Sequence, residues 1–376
     1  MRRALSGLLA IGLVFALLEG AASLLYFAWW GRMHWWSPLP ERAHTVYDPE
    51  LGWASQPSRV ARDVFGPGLH VTTNARGFRN AAELANDVPA GKLRVVALGD
   101  SFTLGYDVGD GDSWPAWLEK LCPGLEVPNM GQSGYGIDQS YLWYRRDAAD
   151  LEHQLLVLAF IDDDLRRVLT DSMAGYGKPV LELRDGQLVA THVPVPRAPY
   201  LWPALTQNLS LFEKLRVVEL PRAIAAHFAG DASEPPAEGT DGDAEQLDVA
   251  ILRSLRASAE ARGALLVLVH LPHLVTGNPA ELAELPKFGA AVVARLAAEG
   301  VPFADLREEL SREPDPARRA LFQPDTALHG PGGHYSAQGN RFMAAAIAER
   351  LVAQGAIPRA ACSPPPPSGA SPPRSP

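Results

Sequence analysis

The stretch from Leu93 to Thr103 constrains this chain more than any other. Six mostly apolar, partly β-branched residues run without polar alternation into Gly99, Asp100 and Ser101. A short apolar run of that kind describes a strand buried on both faces, as strands of a parallel sheet are. Such a sheet must be covered by helices on both sides. The chain supplies them, because strand-like and helix-like segments alternate from Leu93 onward. The pattern predicts strands at 94–98, 125–128, 155–160, 265–269 and 301–304, and helices at 114–121, 139–149, 244–261, 279–298 and 337–353. The expected fold is α/β, a three-layer α/β/α sandwich around a central parallel sheet, flavodoxin-like in type.

Other segments fall outside that alternation. Residues 166–243 interrupt it with an expected hairpin turned at Asp185 and Gly186, a helix near 210–228, and a loose acidic linker over 231–243. Residues 32–92 form an extension of weak periodicity that carries Leu51-Gly52-Trp53 and Gly77-Phe78-Arg79. From Cys362 the chain is rich in Pro and Ser, so residues 356–376 are expected to stay unfolded. Cys122 and Cys362 are the only cysteines, and no bridge is expected because Cys362 falls in that tail.

The N-terminus points to a membrane. Residues 4–30 are almost wholly apolar, longer than the ~20 residues a bilayer crossing needs. Arg2 and Arg3 precede the run and should stay cytoplasmic, leaving the remainder periplasmic or extracellular. Trp29, Trp30, Trp35 and Trp36 suit an aromatic belt at the outer interface. A cleaved signal peptide with its apolar region at 8–18 is the competing reading. Apolar sequence continuing to Trp30 favours an uncleaved anchor, in which Glu19 is a tolerated charge. The expected organisation is an anchor (1–31), an extension (32–92), one α/β domain (93–355) and the tail. A net charge of −9 argues against nucleic acid as a partner.

Chemistry-bearing residues cluster after the predicted strands. Ser101 follows the first strand, and open α/β sheets bind ligands at their strands' C-terminal ends. Free backbone N–H groups in the turn beyond it could stabilise an anion. The glycine-rich loop from Asn129 to Gly136 follows the second strand, where glycine lets an N–H approach a substrate oxygen. Asp162, Asp163 and Asp164 follow the third. Three adjacent carboxylates repel one another, so at least one should have a raised pKa or a specific partner. No matching His/Asp/Glu spacing completes a metal site there. His334, preceded by Gly332 and Gly333, stands before the last helix, where an imidazole could act as general base.

Taken in order, these clusters resemble the SGNH (GDSL-type) hydrolase family over residues 93–354. The extension behind an apolar segment is similar to that of bacterial membrane-anchored members. The resemblance implies Ser101 as nucleophile, His334 as general base, and the N–H groups of Ser101 and Gly131 as oxyanion donors. The family's third donor is an asparagine followed by aspartate. Here Asp163 takes the asparagine's place and Asp164 follows it. An ionised carboxylate accepts hydrogen bonds and cannot donate them, and losing one such donor typically costs around 10²–10³ in rate. The family's acid stands two or three residues before the histidine, where this chain has Gly332 and Pro331. The nearest upstream acid is Asp325, nine positions before His334; a Ser101–His334 dyad supported by a backbone carbonyl is the other arrangement. The implied activity is that of a membrane-anchored serine esterase or acyl hydrolase acting on an O-acyl glycan or lipid ester, with no cofactor and no metal. An O-acyltransferase using the same residues and a non-catalytic binding or scaffolding protein on a decayed hydrolase fold are the alternatives.

Overall fold

In the computed structural model, the run at Leu93 forms a strand, β1 (Leu93–Gly99), buried along all but its first residue. The structure describes residues 2–31, 44–173, 176–195, 239–275, 278–323 and 333–363, with the single positions 215, 217 and 221. On one side β1 pairs with the short strands β2 (Leu125–Glu126) and β3 (Asn129–Gly131); on the other lie β4 (Leu155–Phe160), β5 (Leu265–His270) and β6 (Phe303–Asp305), in that order. Every pairing is parallel. Pro128, with no N–H for the ladder, falls in the gap between β2 and β3. Counted as one interrupted strand, they give the order 2-1-3-4-5 of the flavodoxin-like class.

Side chains alternate across this sheet into two cores. Val96, Leu98, Leu156, Leu158, Leu266 and Leu268 meet the helices α4 (Ile137–Asp147), α6 (Asp241–Glu260) and α7 (Lys287–Ala298). Val95, Ala97, Val157, Ala159, Val267 and Val269 meet α3 (Trp114–Leu121) and α8 (Ala337–Ala353). Each such Val or Leu stabilises the fold by about 1.5–3 kcal/mol relative to exposure, so the sheet is the centre of the molecule. The three layers are those expected.

Several boundaries moved, each for a local reason. Thr240 N-caps α6: its Oγ1 accepts from Asp243 N–H, while Asp243 accepts from the Thr240 N–H at 2.8 Å. That capping box ends the expected linker at 240. The helix expected from 279 begins only at Lys287, because Pro286 suits a cap and not a helix interior. Asn278–Leu282 instead pairs antiparallel with Leu274–Val275. The hairpin lies where expected, with Asp185 and Gly186 both at positive φ (50° and 76°) as a two-residue I′ turn requires. The helix expected at 210–228 falls outside the described residues except at three positions.

Both ends of the α/β unit are more tightly integrated than their composition indicated. Leu51, Trp53 and Phe78 of the extension are buried in the same core as α4 and α6. Trp53 Nε1 donates to the Ser133 carbonyl at 3.0 Å. The tail begins later than expected. Ile357 and Ala361 are buried, and Cys362 closes a 3₁₀ turn (Arg359–Cys362) and forms a disulfide with Cys122. The expectation of unpaired cysteines is therefore corrected. Its error lay in treating 356–363 as part of the Pro-rich stretch, although this segment has apolar residues to bury and Gly124 N–H donates to the Ala361 carbonyl at 2.9 Å.

The N-terminal helix α1 (Arg2–Gly31) exposes Leu8, Leu9, Ile11 and Leu17. Over Ser6–Leu25 its mean hydropathy is 2.2, long and apolar enough to cross a membrane. Glu19 is not a lone charge, because its Oε2 accepts the Val217 N–H at 2.9 Å.

Candidate active site

β1 ends at Gly99, where the backbone passes too close to its neighbours for a side chain. A Cβ would run into Thr103 Oγ1 and the Ala159 carbonyl. Ser101 opens the single turn α2 (Ser101–Leu104), which Gly105 ends in the left-handed conformation at φ +87°. Asp100, fully buried, N-caps that turn by accepting the Phe102 N–H at 2.9 Å. These constraints fix Ser101 at the C-terminal end of β1, beside β4, where the strand order reverses and doubly wound sheets form their crevice.

His334 reaches Ser101 from the loop before α8, and its Nε2 lies 2.8 Å from Ser101 Oγ. The ring is stacked on Tyr106 (centroids 4.6 Å apart, planes at 27°) and tilted against Phe102 at 4.8 Å. Its backbone carbonyl accepts the Gln323 N–H at 2.8 Å, and Tyr335 bridges to Phe322. Asp325, the acid expected behind His334, lies outside the described residues. On the Nδ1 side the structure places Asp107, whose Oδ2 is 3.9 Å away.

The three adjacent carboxylates divide their roles at the first turn of α5 (Asp162–Arg166). Asp164 is buried, bonds the Arg167 guanidinium, and accepts the Ile161 N–H at 3.1 Å. Arg167 also stands 3.6 Å from Asp100, so one cation serves two buried carboxyls. Burial pushes both carboxyls up, and Asp164 furthest because the charge of Asp100 adds to it; Arg167 opposes both shifts. Asp162 is also pushed up by burial, against the pull of His273. Its Oδ1 lies 3.2 Å from His273 Nδ1, though not aligned for a hydrogen bond. Asp163 is half-buried, and no hydrogen bond to its carboxylate occurs among the described residues.

Gly131, the second expected oxyanion donor, faces its own loop. Its N–H donates to Asn129 Oδ1 at 2.9 Å, so that hydrogen is engaged within the protein. It is glycine for another reason: a Cβ would run into the Leu104 nitrogen and the Thr103 backbone carbon. The residue lets β3 lie directly against the serine turn. Asn129, two residues upstream, was the available signal, since Asn side chains readily bond a backbone N–H two positions on. Sequence reasoning also passed over Arg167, whose carboxyl partners are Asp164 and Asp100, and Tyr106, Asp107, His273 and Gln323, whose partners are remote in the chain.

The sheet order defines a doubly wound α/β protein, and the Ser101–His334 pair lies at its switch point. No family model matches the chain, and no curated protein matches it. Similar solved structures include a lipase/acylhydrolase from Enterococcus faecalis, at 14% identity and TM-score 0.39, covering 70% of this chain and 96% of that one. A GDSL-like lipase from Bacteroides thetaiotaomicron aligns at 17% identity and TM-score 0.37, over 73% of this chain and 93% of its own. An acetylxylan esterase from Geobacillus stearothermophilus aligns at 16% identity and TM-score 0.36, over 70% and 96% respectively.

Proposed function

We propose that this chain is a serine ester hydrolase, anchored by α1 with its α/β domain outside the cytoplasm. The observation that carries the reading is the 2.8 Å contact between Ser101 Oγ and His334 Nε2 at the end of β1. In the first half-reaction His334 takes the Ser101 proton as Oγ bonds to the ester carbonyl carbon. The tetrahedral oxyanion then collapses, the C–O bond to the alcohol breaks, and His334 returns the proton to the departing alkoxide. Water, deprotonated by His334, attacks the acyl-serine, releases the acid and restores Ser101. The Ser101 N–H is the donor the reading assigns to the oxyanion; Asp163 can donate only when protonated. Arg2 and Arg3 ahead of the apolar helix support the orientation. The Cys122–Cys362 bridge supports an oxidising compartment. A substrate at the envelope follows from that placement, an O-acyl group on a glycan or a lipid ester.

A fluorophosphonate probe tests the reading, because it labels only a serine activated by a neighbouring base. The intact protein is expected to label, and Ser101→Ala and His334→Ala to lose the label. A folded protein that does not label, or labelling that survives Ser101→Ala, overturns it.

A further inference from the structure

We propose that Asp107 is the residue that positions His334 and balances its charge, held there by Arg79 of the extension and by Gln323. The inference rests on Ser101 and His334 being the reacting pair. Asp107 lies in the loop leaving α2, at φ +62°, a left-handed conformation that non-glycine residues seldom adopt and aspartate tolerates better than most. Two clamps hold it. The buried Arg79 guanidinium donates to the carbonyls of Leu104 (2.8 Å), Gly105, Val108 (2.7 Å) and His70 (3.2 Å), gripping the loop on both sides of Asp107. Gln323 Nε2 donates to the Asp107 carbonyl at 3.1 Å, while Gln323 N–H donates to the His334 carbonyl. One residue therefore ties the backbone of the acid to the backbone of the base. Tyr106, next in the chain, completes the register by stacking on the imidazole.

The product of these constraints is the 3.9 Å separation between Asp107 Oδ2 and His334 Nδ1, with both side chains largely buried (13% and 24% exposed). That is too long for a hydrogen bond. It is short enough for the carboxylate's charge to favour the imidazolium that forms as Ser101 attacks. Two neighbouring carboxylates among the described residues, Asp110 and Asp100, are engaged elsewhere. Asp110 accepts from Thr72 N–H at 2.9 Å and stands 3.7 Å from Arg79 Nε. Asp100 faces Arg167, and burial lowers Arg79 only to about 10, leaving it a cation at neutral pH.

The test uses the full chain with p-nitrophenyl acetate as probe, comparing Asp107→Asn, Asp107→Gly and Asp325→Asn. Both Asp107 variants are expected to lose about tenfold or more in kcat/KM, the size of one pKa unit of charge interaction. KM should change little, and the acid limb of the pH profile should move to lower pH, because the charge that favours imidazolium is gone. Asp107→Glu should recover part of the loss. Gly relieves the left-handed backbone, so a residue needed only for loop shape would tolerate it without that pH movement. Asp107 variants with an unmoved acid limb, or the full loss appearing in Asp325→Asn, overturn the proposal. Hydrolysis surviving Ser101→Ala instead overturns the reading beneath it.

Discussion

Asp248 and Asp138 show how differently two buried carboxyls can be treated. Asp138 meets Lys178 Nζ at 2.6 Å, and neither side chain is exposed. Asp248, on α6, is as deeply buried, but both its oxygens lack a hydrogen-bond partner among the described residues. Burial, reinforced by the charge of Asp138, pushes the Asp248 carboxyl well above the usual carboxylate range. A carboxyl raised in the folded state binds its proton more tightly there than in the unfolded chain. Its contribution is therefore favourable below the unfolded value, near pH 4, and is lost as pH rises toward the folded value. Asp248→Asn removes the ionisation, and urea denaturation should show the variant more stable than the wild type at pH 7. The gain should vanish when the same titration is run below about pH 4.

At the level of elements, the approach of β3 to α2 decides where the serine stands. Gly131→Ala places a methyl group against the Leu104 nitrogen and the Thr103 backbone carbon, neither of which can rotate away. The serine turn must move, at a cost of about 1–3 kcal/mol for overpacking. Fluorophosphonate labelling should fall in a protein whose circular dichroism stays native. The elements themselves were legible in the sequence wherever a local pattern dictated them. β4 at 155–160 and α3 at 114–121 fall on the expected residues, because an apolar run and an amphipathic stretch with an early proline leave little choice. The start of α7 was misjudged because Pro286 had to be weighed against the apolar periodicity around it. Ser101 and His334 were legible as a pair, since each follows a recognisable glycine context. The close approach at Gly131 was not legible, because a glycine after a strand can mean either a free N–H or a close backbone approach. The place of Asp107 could not be read at all. It depends on Arg79 and Gln323, far away in sequence and brought together only by the folded chain.

For the whole molecule, the Cys122–Cys362 bridge joins positions 240 residues apart and pins the last described turn to the end of α3. Loops of that length lose much unfolded-state entropy when closed, and removing such a bridge typically costs about 2–5 kcal/mol. Thermal denaturation should show a lower Tm for Cys122→Ser and for the wild type under reductant, and the two should agree. The Arg79 clamp has a consequence of a practical kind. A protein trimmed to begin at Leu93 would keep every strand of the central sheet, yet it would lack the guanidinium that grips the loop after the serine and the Trp53 indole that bonds the loop after β3. A shortened form of the protein should therefore start ahead of His44, between α1 and the extension, so that both contacts are kept.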